Sequence, residues 1–337
     1  MATRFVDIDL SRLPAPDAIQ GLNYDQTAAD RIAELKARLA AAGVTWDVNG
    51  LETDPLVITE EHASYYDMLL RARVNDAVKA TLLAYAEKKD LDHIAAEMGV
   101  ERKVLVPADP NAIPPTEAVM EKDEDLRRRR QLVIEAFSTA GPEGAYVFFG
   151  LSGHPHALDV AVYDPHSGLC NDGEVLCVVA SSQGDGVPAD AVLDSIADTL
   201  DARTIKYAVT AERTRAITRR QKLRPLTDKV IVEACSTLDY SLSIVLKIPY
   251  GPAPELVIAE ARKRLDAYLA SRRQIGRIIS DTAIAAAVHV ADASGVAMVD
   301  DANIVPVVGG DPVEDVVPGP KQLARCTEIT VTYEILT

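Results

Sequence analysis

The spacing of apolar side chains predicts long helices in the first part of the chain. Apolar residues recur on one helical face from Tyr24 to Gly43, and a second helix is predicted from Pro55 to about Lys88. The second helix would measure on the order of 50 Å at about 1.5 Å per residue, more than a small domain usually needs. It would serve as an interface rod or as the spine of a helical layer. The apolar stripes of the two helices include Ile32, Leu35, Leu39, Ile58, Tyr65 and Leu69.

Two shorter helices and a linker are predicted next. A short helix spans His93 to Met98, and helix returns from Thr116 to Ser138. Between them, Pro107 to Pro115 reads as the clearest linker in the chain, because each proline removes a donor and pushes its predecessor out of the helical region. In the later helix, acidic residues precede Arg127 to Arg130, which complements the helix dipole. This order indicates a solvated or partner-facing charge pattern and not a catalytic cluster.

The second half of the chain alternates strand and helix patterns. Strands are predicted at residues 159–163, 174–180, 230–234, 240–248, 296–299 and 328–335, and helices at residues 188–200, 281–290 and after a turn at 250–254. In the last strand, one face carries Ile329, Val331, Tyr333 and Ile335. That strand therefore pairs with its own sheet or with a neighbour's.

Together the patterns predict an α+β fold with several domains. A long-helix region comes first, and small strand-helix-strand units follow, without the crossovers of a doubly wound sheet. The predicted domains are an N-terminal extended arm with its amphipathic helix, a helical core or bundle, a central α+β domain and a C-terminal α+β domain. Their bounds are residues 1–53, 54–140, 141–235 and 236–337.

Composition and charge narrow the class of function. The 337 residues carry a net charge of -16, which argues against nucleic-acid binding because phosphate neutralisation needs a positive footprint. The partner is expected to be protein. Neither a signal sequence nor a membrane span is indicated, so the chain is expected to be cytosolic when made. The spacing of the cysteines predicts small buried residues in a reducing compartment, and these are Cys170, Cys177, Cys235 and Cys326.

Two stretches could carry chemistry. The turn after the strand at 174–180 contains Gly184, Gly186 and Ala189 in the spacing G-x-G-x-x-A, which would suit a dinucleotide-dependent oxidoreductase. The alternative is a plain tight turn, since Asp185 places a carboxylate where pyrophosphate would approach the backbone. Three histidines, at positions 154, 156 and 166, lack a recognised metal-ligand spacing and are taken as loop residues. No other catalytic motif occurs, so no catalytic, cofactor-binding or metal-binding residue is predicted.

An ordered run of short motifs resembles the baseplate J-like proteins of contractile-tailed phages, and the likeness covers nearly the whole chain. Each motif is weak alone, but their order is specific. They include Leu91-Asp92-His93-Ile94-Ala95, Gly99-Val100-Glu101-Arg102, Pro114-Pro115-Thr116, Ala140-Gly141-Pro142, Gly184-Asp185-Gly186-Val187-Pro188 and Arg224-Pro225-Leu226-Thr227-Asp228.

The resemblance implies a structural role in the wedge of a tail baseplate. Two copies of the chain would combine with a third tail protein through a helical bundle near the N-terminal half, and C-terminal α+β domains would link neighbouring wedges. Sheath-initiator-like and hub or spike proteins are further expected partners, whereas nucleic acid and membrane are not. The chain would assemble in the host bacterial cytoplasm and then reside in the tail baseplate of a phage or a phage-tail-like bacteriocin. A soluble adaptor unrelated to phage stays open as an alternative.

One segment departs from the family pattern. A short turn usually follows the helix that ends near Leu200, but here residues 201–223 intervene and carry a basic run. We hypothesise a protruding arm or hairpin that contacts an acidic neighbour. The alternative is a solvated insertion without a role, because long loops cost little free energy. The arginines of the proposed arm are Arg213, Arg215, Arg219 and Arg220.

Overall fold

The computed structural model has the predicted α+β class, with eight helices, eleven strands and three sheets in its described part. It describes residues 10, 13, 14, 16, 21–46, 51–138, 140–216, 223–251, 253–292 and 295–336. The chain forms two compact units. The first comprises Met1–Val6, Lys103–Glu121 and Arg128–Thr337, and the second comprises Asp7–Arg102 and Lys122–Arg127. The four-part division by sequence stays a prediction.

Helices α1 (Tyr24–Ala41), α2 (Pro55–Ala80) and α3 (Lys88–Ala96) build the second unit. The side chain of Asp54 caps α2, since its Oδ1 accepts a hydrogen bond from the N–H of Leu56 at 2.8 Å. The predicted continuation of α2 to about Lys88 is wrong. The helix ends at Ala80. The next helix, α3, begins at Lys88, five residues before the predicted start at His93.

A side chain distant in sequence occupies the carbonyls of the turn between α2 and α3. Arg127 Nε donates to the carbonyl of Leu83 and Arg127 Nη2 to the carbonyl of Ala86, each at 2.7 Å. A helix that continued through these residues would use the same carbonyls for its own N–H groups. The chain therefore turns where no glycine or proline signals a stop.

The stretch predicted as a linker is the loop of a hairpin. Strand β1 (Val104–Val106) pairs antiparallel with β2 (Val119–Met120), and Asp109 forms a bridge with Thr116 inside the loop. The helix predicted from Thr116 consequently begins later, as α4 (Asp123–Ala136). The prolines between residues 107 and 115 thus shape a closed loop and do not separate two domains.

The central sheet contains β3 (Ala157–Tyr163), β4 (Glu174–Ser181), β5 (Thr204–Lys206), β6 (Arg213–Thr214) and β7 (Lys229–Ala234). Its strand order is β3-β4-β7-β5-β6, and β4, β7 and β5 run parallel. Two helices, α5 (Glu143–Ser152) and α6 (Asp190–Leu200), pack on its core. The connection from β4 through α6 to β5 is a crossover, which the sequence analysis did not expect.

The C-terminal sheet contains β8 (Ser236–Pro249), β9 (Asp301–Val308), β10 (Asp311–Pro312) and β11 (Gln322–Leu336). Its order is β10-β9-β8-β11, with β11 parallel to β8. Helices α7 (Pro254–Ser271) and α8 (Asp281–Val288) pack on one face. The predicted strand at 296–299 is wrong, since only Ala297 forms an isolated bridge there. Two strands of this sheet were not predicted: β9, which includes Pro306, and the two-residue β10.

A third apolar cluster joins the central and C-terminal sheets of the first unit. Leu176 and Ile231 from the central sheet share it with Ile275 and Leu323 of the C-terminal part. Asp159 is fully buried. It accepts a hydrogen bond from the Ile275 N–H at 2.8 Å and forms an ion pair with Arg128 at 3.1 Å. Buried carboxylates need such partners, because an unpaired one costs several kcal/mol.

Candidate interaction surfaces

Helix α1 turns its apolar stripe towards α2. Ile32, Leu35 and Leu39 share a helical face with the buried Ala28, and all three are partly buried. Arg31 strengthens this packing through an ion pair of 3.0 Å with Glu60 of α2. The predicted stripe of α1 is therefore partly satisfied inside the chain.

Helix α2, by contrast, exposes apolar residues on both flanks of its buried side. Val57, Ser64 and Asn75 mark the buried side. One flank carries the predicted residues Ile58, Tyr65 and Leu69, which are about half exposed. The other flank, which the sequence analysis did not single out, carries Tyr66, Leu70 and Val74. Their spacing of four residues is a signal that could have found them. Exposed apolar stripes of this kind on a helix normally mark sites where another element packs.

Charged residues hold α3 and the start of α4 together within the second unit. Arg102 lies between Asp92 and Asp123, at 2.6 Å and 2.7 Å. Burial would raise the pKa of Asp123, but the N–H of Lys88 and the Arg102 guanidinium lower this pKa below its ordinary value. The acidic residues that open α4 thus include one with a structural task.

The basic insertion is partly tied to its own domain. Arg213 pairs with Asp194 at 3.0 Å and Arg215 pairs with Asp198 at 2.5 Å, both on α6. Arg219 and Arg220 lie outside the described residues. The proposed contact of this arm with an acidic neighbour stays a prediction, and two of its four arginines already have carboxylate partners.

The last strand is half covered. Ile329 and Val331 pack against the core of the C-terminal sheet. Tyr333, on the same face, is 44% exposed, and Ile335 is similarly exposed. The predicted apolar face therefore contributes to the chain's own core at its start and stays open at its end.

Comparison with known proteins assigns the chain to a family. A family model for the baseplate J-like N-terminal domain matches residues 52–109. The chain is also 34% identical over 331 residues to baseplate protein J of Escherichia phage P2, covering 96% of this chain and 97% of that protein. The chain belongs to the baseplate J-like family. Its role is a structural one in a tail baseplate.

A solved baseplate gives a weaker match. The cryo-EM structure of the anti-feeding prophage (AFP) baseplate, 6-fold symmetrised, aligns with a TM-score of 0.37 and 11% sequence identity. The alignment covers 63% of this chain and 44% of that chain, so this chain spans less than half of the matched protein.

In this baseplate J-like chain, the G-x-G-x-x-A turn has a packing explanation. A Cβ at Gly186 would stand 2.4 Å from Leu323 Cδ2, so the glycine admits the C-terminal strand. Asp185 accepts a hydrogen bond from the N–H of Val187 at 3.0 Å and lies 3.9 Å from Arg325. The comparisons give no support to the oxidoreductase alternative.

The histidine-rich loop also makes contacts of a structural kind. The rings of His154 and His156 lie 5.5 Å apart between centroids and are tilted by 45°, and His156 Nε2 lies 3.0 Å from Gln183 Nε2. Burial lowers the pKa of His154. In the part of the chain that the structure describes, no group of three or more His, Cys, Asp or Glu residues could hold a metal ion. Among the described helices, none combines the length and the apolar character that a membrane span requires.

Proposed function

We propose that this chain is a wedge protein of a contractile tail baseplate, in which two copies join a third tail protein through the helices of the second unit. The observation that carries the proposal is the exposure of two apolar flanks on α2, each of which can accept a helix. One flank suits a second copy and the other a different chain. A helix with only one exposed stripe would fit a simple pair.

The C-terminal sheet supplies the link between neighbouring wedges in this proposal, and the basic arm contacts an acidic neighbour. Sheath-initiator-like and hub or spike proteins complete the surroundings of the wedge. The chain carries no catalytic residue and needs no cofactor, because its part is to hold other subunits in place. It assembles in the host cytoplasm before the particle leaves.

Co-expression with neighbouring tail proteins tests the proposal. We expect a purified assembly with two copies of this chain and one of a third protein, measured by native mass spectrometry. Replacing Tyr65 and Leu69 by glutamate should abolish that assembly, because two carboxylates would have to be buried in an apolar interface. Both positions are exposed in the chain itself, so its own stability should change by less than about 0.5 kcal/mol.

A matched control separates this effect from a general loss of solubility. Ile113 is fully exposed in the loop between β1 and β2, outside the proposed surfaces, so its replacement by glutamate should leave the assembly intact. Retention of the third protein by the Tyr65 and Leu69 variant would contradict the proposed use of α2.

A further inference from the structure

The outer edge of β11 is a long sheet edge with little protection. The opposite edge of the same sheet is closed by β10, which has two residues and ends in Pro312. By contrast, β11 has 15 residues and lies at the other edge, with β8 as its neighbour on one side. Natural proteins usually shorten, charge or cover such edges, because unpaired N–H and C=O groups attract another strand.

Among the described residues, a side chain covers this edge only near its middle. Arg262 of α7 donates from Nη1 to the carbonyl oxygen of Ile329 at 3.1 Å. A carbonyl that points towards β8 would be engaged in the ladder. This bond therefore indicates that the backbone N–H and C=O of Ile329 point to the outer edge, as do those of every second residue after it. No comparable side-chain bond reaches the backbone of residues 331–336 in the described structure. The edge is therefore open over its last six residues.

Apolar side chains emerge at the same end of the sheet. Leu336 lies opposite Pro249, and the chain leads from there through Tyr250 into the start of α7. Tyr250 is 91% exposed, and Leu256 in the first turn of α7 is also exposed. Tyr333 is exposed on the same part of β11 as the open edge. Aromatic residues of this kind are enriched where proteins bind each other.

The charge beside the open edge is negative. Glu328 and Glu334 lie on the polar face of β11, and Glu255 lies in the first turn of α7. Glu334 lies opposite Lys247 in the strand register, and the two charges attract each other. The nearby Lys247 is held by Asp301 at 2.6 Å. A second copy of β11 would bring further carboxylates, on a chain whose net charge is already -16. One lysine thus faces two carboxylates, Glu334 and Asp301, and this excess of negative charge favours a basic occupant.

We propose that an extended basic segment of another baseplate chain adds to the outer edge of β11 as a fifth strand of this sheet. Its backbone would pair with residues 331–336, its lysines or arginines would face Glu328 and Glu334, and its apolar side chains would contact Tyr333. This inference rests on the proposed assembly role and names the chemistry of one partner surface.

Binding of short synthetic peptides to the purified chain tests the inference without the rest of the particle. The probe is a fluorescent peptide in which lysine alternates with valine, followed by anisotropy at low and high salt. We expect binding that weakens as salt rises, and at least about tenfold weaker binding of the matched peptide with glutamate for lysine. Methylation of alternate peptide amides should also weaken binding about fivefold or more, because strand addition uses those N–H groups.

A pair of variants with equal charge change locates the site. Replacing Glu328 and Glu334 by glutamine should weaken the lysine peptide about fivefold. Replacing Asp311 and Glu314 at the opposite edge by asparagine and glutamine should leave binding unchanged. Equal losses in both variants, or equal binding of the glutamate peptide, would overturn the inference.

Self-association is measured separately by analytical ultracentrifugation. A dimer of the chain that the lysine peptide cannot displace, and that is lost when Tyr333 is replaced by aspartate, would show that a second copy occupies the edge. That result would also overturn the inference. Failure of the peptide to bind while the co-expressed assembly forms normally would leave the wedge role standing and remove only the basic strand.

Discussion

Gly186 lies where the turn after β4 meets Leu323 of β11. Its φ of +101° and the 2.4 Å between an added Cβ and Leu323 Cδ2 both require glycine. Gly184, in the same turn, has a φ of +60° and open space around it. The two glycines therefore share a motif but differ in the reason for their identity.

Alanine substitutions separate the two reasons. We expect Gly184→Ala to lower the free energy of unfolding by about 1 kcal/mol, since only the backbone is strained. Gly186→Ala should lower it by about 3 kcal/mol, because overpacking adds to the strain. Urea unfolding measures both. Combining Gly186→Ala with Leu323→Ala should cost less than the sum of the single changes, and simple additivity would contradict the proposed close contact.

The strand β5 shows how part of an insertion can belong to a core; the sequence from Thr204 to Thr210 allows a strand, and β5 spans Thr204–Lys206. It lies between β7 and β6 in the central sheet, and Ile205 and Ala202 are fully buried. The segment at 201–223 is thus partly a sheet strand, and only its later part can form an arm. Removal of the whole segment would damage the fold as well as any contact surface.

Two alanine substitutions distinguish the buried strand β5 from the exposed residues that follow it. Ile205→Ala should lower the free energy of unfolding by about 3 kcal/mol, whereas Val209→Ala, at an exposed position, should change it by less than about 0.5 kcal/mol. Thermal or urea unfolding checks both values. Replacing Arg219 and Arg220 by serine should leave stability unchanged and weaken particle assembly. Normal assembly by that variant would argue against a role for the arm.

At the scale of the whole molecule, several buried weak acids make stability depend on alkaline pH. Burial raises the pKa of the Cys177 and Cys235 thiols from 9.0 to about 12. Burial also raises the pKa of Tyr146 and Tyr240 above the ordinary value, with Asp228 adding to the effect at Tyr146. At a pH between the unfolded and folded pKa values, each of the four groups stays neutral in the folded chain but ionises in the unfolded chain. Their contribution to stability is present below the unfolded pKa and is lost as the pH rises through the folded pKa.

The free energy of unfolding should therefore fall between about pH 9 and pH 12, by about 1.4 kcal/mol per pH unit for each buried thiol. Urea unfolding at a series of pH values measures this slope. Replacing Cys177 and Cys235 by alanine should flatten the slope, although it lowers stability at neutral pH. An unchanged slope in that variant would mean that the thiols do not cause the loss.

The apolar periods of the sequence were sufficient for elements whose signals are local. Asp54 and Pro55 start α2 where the pattern predicts, and the alternation from Tyr240 to Ile248 lies within β8. Composition and the ordered motifs were sufficient for the α+β class and for the baseplate J-like family. Such signals survive in sequence because caps, turns and periodic faces depend on residues a few positions apart.

Distant contacts decided the remaining features. The end of α2 depends on Arg127, which takes the carbonyls of Leu83 and Ala86 across more than forty residues. The strand β9 forms despite Pro306 because β8 pairs along its length. In the same way, only the packing of α1 on one side of α2 shows which apolar stripes remain available to partners. A stripe in the sequence marks a surface that must be covered, and the tertiary structure determines whether the chain covers it alone.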